Sequence, residues 1–210
     1  MLTIRNFRKK YGDTLILSIP ELTITTGAYW IKGLNGSGKT TLFKSLGGLI
    51  PCEGEIAFDD NVSLQKDPVT YRRRVNYSEA EPLYPGFLTP LELIRFVGKA
   101  KEASDDQQKM LMGWFGIDRF QHKACASCSS GMIKKVSLAL AFLGNPRVII
   151  LDEPLITLDE ESRQMLSALV RKYITEKHVA FLLSSHQIVD DSFITLRGSY
   201  EIARQTLVAI

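Results

Sequence analysis

Gly33-Leu34-Asn35-Gly36-Ser37-Gly38-Lys39-Thr40 follows the pattern G-x-x-x-x-G-K-[ST], and its surroundings are those the pattern requires. Residues 29–32 before it read as a strand, and residues 40–47 after it carry a helical pattern. Glycines let backbone N–H groups turn inward around phosphate oxygens, and the N-terminus of the following helix favours negative charge. In such a loop Lys39 reaches the terminal phosphates of a nucleotide and the Thr40 hydroxyl is placed for Mg²⁺. Thr41, next along the helix, is counted with the nucleotide-binding residues.

Further along, Val148-Ile149-Ile150-Leu151-Asp152-Glu153-Pro154 is an unbroken apolar run that ends in two carboxylates. Ligands of open α/β sheets sit at the carboxyl ends of the strands, so these acids are expected to face the phosphate loop. Asp152 then serves Mg²⁺, and Glu153 is the group able to accept a proton from an attacking water.

Between these two anchors, strand-like and helical patterns alternate. Strands are expected near residues 14–19, 29–32, 55–58, 74–78, 148–151 and 179–183, and Met1-Leu2-Thr3-Ile4-Arg5 also reads as a strand. Helices are expected over residues 40–47, 90–98, 107–115, 131–143 and 160–173. That alternation implies a mostly parallel sheet covered on both faces. Residues 79–144 break the pattern, with helical signals and hardly any strand signal, and are expected to form a helical lobe inserted into a core of about 1–78 and 145–210. With 210 residues and no repeat or Pro/Ser-rich linker, a single domain is expected.

Composition narrows the class. The longest apolar stretches fall short of the roughly 20 residues that span a bilayer, so the chain is expected to stay off the inside of the membrane. The N-terminus lacks a secretion-signal layout, which points to a cytoplasmic protein. Three cysteines, Cys52, Cys125 and Cys128, are expected as thiols. Net charge is +3 and the one dense basic run, Arg72-Arg73-Arg74, reads as a solvated helix end, so no nucleic-acid partner is expected. Cys125-Ala126-Ser127-Cys128 with His122 is a weak metal or redox pattern without a second cysteine pair.

Five further stretches, in order from Tyr11 to His186, make the chain resemble the ATP-binding cassette (ABC) ATPases. Cys128-Ser129-Ser130-Gly131-Met132 looks like the family signature Leu-Ser-Gly-Gly-Gln, and Ile133-Lys134-Lys135 keeps the basic character usual after it. Ser184-Ser185-His186 resembles the segment of the switch histidine, which contacts the γ-phosphate. Leu158-Asp159 resembles the end of the D-loop, which crosses the interface between subunits; Asp159 is equally placed to cap the next helix. Tyr11 lies where the family stacks an aromatic ring on adenine. Residues 75–85 resemble the Q-loop, with Glu79 in the place of the usual Gln and a possible metal contact; an alternative alignment selects Glu81.

The resemblance implies an α/β fold: a P-loop NTPase core of RecA type with a mostly parallel sheet, an N-terminal antiparallel β portion and the inserted α-helical lobe. It implies ATP and Mg²⁺ as ligands, the metal served by Thr40, Asp152 and Glu79, and chemistry assisted by Glu153, His186 and Glu79. Two ATP molecules would lie between head-to-tail subunits, each gripped by Gly33–Thr41 of one and by Ser129, Ser130 and Gly131 of the other, with Asp159 at the interface. The partners implied are a second ABC ATPase subunit, identical or not, and a transmembrane permease whose short helix enters a groove beside the Q-loop. Leu83, Tyr84 and Phe87 are candidates to line that groove.

Departures from the pattern are also visible. Cys128 replaces Leu, Ser130 replaces the first Gly, and Ile156-Thr157 replace the usual small D-loop residues. A positive φ at Ser130 would cost on the order of 1 kcal/mol. The expected function is an ATP-hydrolysing transporter subunit, peripheral on the inner membrane face. A soluble ABC ATPase of translation or DNA repair is the alternative, disfavoured because such proteins usually carry two cassettes, coiled-coil insertions or basic extensions. A simple P-loop kinase leaves the signature unexplained.

Overall fold

The computed structural model describes residues 1–185 and 193–210. Strands β1 (Leu2–Tyr11) and β2 (Thr14–Ile24) form a hairpin, and β4 (Glu53–Phe58) pairs with the other edge of β1, giving an antiparallel sheet of order β2-β1-β4. The second sheet has the order β5-β6-β7-β3-β8-β9, built from β3 (Gly27–Lys32), β5 (Val75–Ser78), β6 (Val148–Leu151), β7 (Ala180–Ser184), β8 (Leu196–Ala203) and β9 (Thr206–Ala209). Its first five strands run parallel, and β9 folds back on β8 as a hairpin.

Strand β6 is Val-Ile-Ile-Leu with every residue buried, which is why it reads as continuous rather than alternating. The alternation appears in what each residue packs against. Ala28, Trp30, Ile149, Leu151, Phe181 and Leu183 join one apolar cluster, while their neighbours Tyr29, Ile31, Val148, Ile150, Ala180 and Leu182 join another. The second cluster is completed by the antiparallel sheet, by Leu42, Phe43 and Leu46 of α1 (Lys39–Leu46), and by Tyr71 of α2 (Pro68–Arg74).

The first cluster holds the remaining helices: α3 (Pro90–Ala100), α4 (Asp105–Trp114), α5 (Ser130–Ala141) and α6 (Glu160–Lys177). Residues 79–144 thus carry three α-helices and no strand, and their apolar side chains share one core with the sheet instead of closing a core of their own. Local chemistry sets the helix starts. Thr89 and Glu92 form a reciprocal capping box before Pro90, and Ser104, Ser129 and Asp159 each accept a backbone N–H at the start of α4, α5 and α6. The run Arg72–Arg74 closes α2, as expected of a solvated helix end, although α2 as a whole and β9 were not foreseen. Among the described residues no helix is long and apolar enough to cross a membrane.

Candidate functional site

Strand β3 delivers the phosphate loop and α1 leaves it, so the loop lies at the carboxyl edge of the parallel sheet. Gly38 at its end has φ 104°, and a Cβ there would press on Leu17 at 3.2 Å; both facts demand glycine. The Lys39 ammonium folds back over the loop, donating to the carbonyls of Gly33 at 2.7 Å and Leu34 at 3.1 Å. The Ser37 hydroxyl is buried without a hydrogen-bond partner among the described residues, and Leu34 is exposed at the loop's tip.

Two strands away, β6 leads into Asp152, whose carboxylate is held from three sides. Thr40 donates to one oxygen at 2.8 Å and Tyr77 to the same oxygen at 3.2 Å, while Ser184 donates to the other at 2.6 Å. Burial and the Asp152 charge push the Tyr77 phenol well above its ordinary range, so it stays a proton donor. Ser184 also accepts the backbone N–H of Glu153 at 3.0 Å, which ties the second carboxylate's backbone to β7. Asp152 and Glu153 are 2% and 6% exposed, and Glu153 takes a φ of 46°.

A cavity of about 340 Å³ lies between these parts. It is lined by Asn35, Gly36, Gly38, Lys39, Thr40 and Thr41 from the loop, by Asp152 and Glu153, and by Ile16 and Ala80. Residues of the phosphate loop and both carboxylates of the strand end, singled out separately in the sequence, therefore meet in one place. Oxygen donors from a hydroxyl and a carboxylate, 2.8 Å apart, beside an ammonium and a glycine-rich turn suit a hard divalent cation and a phosphate chain.

Among the described residues, the others singled out in the sequence do not line this cavity. Glu79 does not face this cavity: its carboxylate pairs with Lys44 at 3.5 Å and lines a separate groove, because the chain turns after Ser78 and presents Ala80 to the phosphate side. The Tyr11 ring is exposed with the Lys9 ammonium 4.6 Å above it, and Ile16, not Tyr11, lines the cavity. Ser130 opens α5 in ordinary helical geometry, so the positive-φ strain feared there does not exist. The strain sits instead at Glu153 and at Thr157, with φ of 46° and 66°. His186 lies outside the described residues.

The signature residues are at the surface. Ser129 and Ser130 are exposed, and the Ser129 hydroxyl accepts from the Met132 N–H at 3.2 Å. A Cβ on Gly131 would stand 3.0 Å from the Thr157 carbonyl, so glycine lets the D-loop pass close to the signature. Asp159 caps α6 by accepting from Ser162 at 2.8 Å and pairs with Lys135 at 3.3 Å. Those hydrogen bonds, that to Ser162 foremost, pull its carboxyl down to about 2.

Three participants escaped notice in the sequence. Tyr77 and Ser184 were quoted within their segments, yet nothing in a single tyrosine or serine marks it as a carboxylate ligand. Lys134 was taken for part of a basic stretch, but it is 1% exposed and donates to the carbonyls of Glu79, Ala80 and Asp152 at 2.8, 3.1 and 3.1 Å. Burial pulls its ammonium down to about 8, opposed by the charges of Asp152 and Glu153. All three cysteines are free, and no cluster of three metal-ligating side chains occurs among the described residues.

A separate groove of about 320 Å³ is lined in part by Leu49, Arg72, Glu79, Leu83, Tyr84 and Lys101. Leu83 is 91% exposed and Phe87 81% exposed.

Comparison with known proteins agrees with this geometry. The chain is 31% identical over 193 residues to a spermidine/putrescine import ATP-binding protein of Spiroplasma citri, covering 89% of this chain but only 54% of the relative, about half its length. It is 29% identical to a lantibiotic transport ATP-binding protein of Streptococcus pyogenes, covering 89% of this chain and 80% of that one. A solved ATP-binding subunit of an ABC transporter superposes with a TM-score of 0.87 at 26% identity, over 99% of this chain and 88% of the other. A dimeric cassette bound to ADP and Pi shares the fold, with a TM-score of 0.84 at 22% identity over 99% of this chain and 96% of that one. A family model described as ABC transporter matches residues 18–156, two-thirds of the sequence, and the chain therefore belongs to the ABC transporter family.

Proposed function

We propose that this chain is the ATP-binding and ATP-hydrolysing subunit of a transporter, working as a dimer of cassettes against a membrane-embedded permease on the inner membrane face. The observation that carries the proposal is the 2.8 Å bond from Thr40 to Asp152, which joins the phosphate loop to the carboxylate-bearing strand across one cavity that also receives Lys39 and Glu153. The names of the relatives, import and lantibiotic transport ATP-binding proteins, support it.

In this proposal Lys39 leaves its own loop carbonyls for the β- and γ-phosphates of ATP, and the loop's amide groups and the N-terminus of α1 hold the same chain of charges. Thr40 and Asp152 would hold Mg²⁺, a hard cation suited to their oxygens. The metal, when bound, neutralises charge that develops on the phosphoryl oxygens. Glu153 accepts the proton of the attacking water, and its buried backbone, tied to Ser184, fixes where that proton goes. Exposed Ser129 and Ser130 at the start of α5 offer a hydroxyl and helix-terminal amides to a nucleotide held by the opposing subunit. The groove flanked by Leu83 is the surface for the permease.

The test is Glu153→Gln. With saturating Mg-ATP this variant is expected to bind nucleotide, turn over at least about a hundredfold more slowly than wild type, and elute as a dimer. A variant that stays monomeric under those conditions overturns the two-subunit scheme.

A further inference from the structure

Among the described residues, Lys134 is a buried cation whose hydrogen bonds go to backbone carbonyls. It stands on α5, one turn after Ser130, and its three N–H bonds go to three backbone carbonyls, those of Glu79, Ala80 and Asp152. These carbonyls lie where the parallel ladder runs out. Ser78 pairs with Leu151 as the last register pair between β5 and β6, and the bond from the Asp152 N–H to the Ser78 carbonyl at 2.9 Å is the ladder's final step. Past that point the two backbones diverge, Glu79 toward Lys44 and Glu153 into its left-handed turn. Lys134 donates to both, through the carbonyls of Glu79 and Ala80 on one side and of Asp152 on the other. Charged side chains are rarely buried unless their hydrogen-bonding capacity is met, and here it is met by polypeptide that carries the site.

We propose that Lys134 is a positioning residue for hydrolysis: by tying Glu79, Ala80 and Asp152 to the signature helix, it sets the place of the Asp152–Glu153 pair and transmits to it any movement of α5. The helix that carries Lys134 begins at the exposed residues Ser129 and Ser130, so contact made at that end by another molecule shifts a rigid rod whose fifth residue grips the carboxylate-bearing strand. The adjacent bond between the Ser78 and Ser137 hydroxyls, 2.8 Å, locks the next turn of the same helix to the end of β5. Asp152 and Glu153 are thereby aligned with the signature through atoms that touch no nucleotide. The proposal rests on the ATPase reading above.

Two variants on the full chain test it, Lys134→Met and Lys134→Gln, with kcat, KM for Mg-ATP, affinity for a fluorescent ATP analogue and Tm measured for each. A positioning role predicts that Lys134→Met lowers kcat at least about tenfold with analogue affinity changed less than about threefold, and that Lys134→Gln, with two amide donors and no charge, recovers part of kcat. Full kcat in Lys134→Met overturns the proposal, and so does a parallel loss of affinity, turnover and Tm in both variants, which marks a purely structural lysine. If Lys134→Met is insoluble, Lys134→Gln decides: selective loss of kcat supports the proposal, and wild-type kcat or failure to fold rejects it. Wild-type protein that binds the analogue yet never hydrolyses ATP overturns the ATPase reading and this proposal together.

Discussion

A β-branched residue in left-handed backbone is costly, about 1–3 kcal/mol, and Thr157 at φ 66° bears that cost beside the signature. Its carbonyl occupies the space that a side chain on Gly131 would need, so two residues distant in sequence are matched in shape. Gly131→Ala should displace the Thr157 turn and lower ATP turnover at least about tenfold, with nucleotide-analogue affinity held within about twofold because the phosphate loop is untouched. Steady-state kinetics beside an equilibrium titration separates the two effects. Thr157→Gly should act oppositely on the fold, relieving the strained torsion and stabilising the protein by about 1 kcal/mol, measured as a rise in urea midpoint. The same residues show why part of the site was hidden: a resemblance places Thr157 in a D-loop, but no sequence pattern says that Gly131 is required by a carbonyl from that loop.

At the level of elements, what could be read in advance was what periodicity and end chemistry encode. Strand β6 matched at both ends, because an all-apolar run bounded by Arg147 and Asp152 has little freedom in where it stops. Helix α2, only seven residues long, went unseen despite Asp67 and Pro68 at its start, since so short a segment shows scarcely two turns of pattern. The facing of Glu79 and Ala80 was not legible for a related reason: it depends on how a chain turns after a strand, and there the chain is held by Lys134 and Lys44 from other helices. Helix α6 offers a direct test of end chemistry. Asp159→Ala removes the cap on Ser162 and should cost about 1 kcal/mol at neutral pH, discounted little because the hydrogen bond rather than the exposed pair with Lys135 dominates. That corresponds to a Tm lower by about 2–4 °C. The folded carboxyl titrates near 2, below its unfolded value of roughly 4, so its charge-dependent stabilisation is complete above pH 4 and disappears as pH falls toward 2. The Tm gap between wild type and Asp159→Ala should narrow over that window and not at higher pH.

Seen whole, the molecule presents two concave surfaces, the nucleotide cavity lined by Ala80 and the groove lined by Glu79 and Leu83, with the loop that Lys134 pins contributing to both. Leu83→Asp combined with Phe87→Asp alters side chains that are almost fully exposed, so folding and basal ATP turnover should stay within about twofold of wild type while co-purification with a membrane permease is lost. Retained co-purification would move the permease contact elsewhere. The parallel sheet divides the interior into two apolar compartments that share no side chain among the described residues, with alternate residues of β3, β6 and β7 assigned to one or the other. Such a bulkhead confines damage. Ile4→Ala and Leu138→Ala, on opposite sides, should each cost about 2–5 kcal/mol and sum to within about 0.5 kcal/mol when combined. One side can then accumulate substitutions, and adapt to a new neighbour, without disturbing the grip on nucleotide made by the other, provided the polar stitching at the strand tips is left whole.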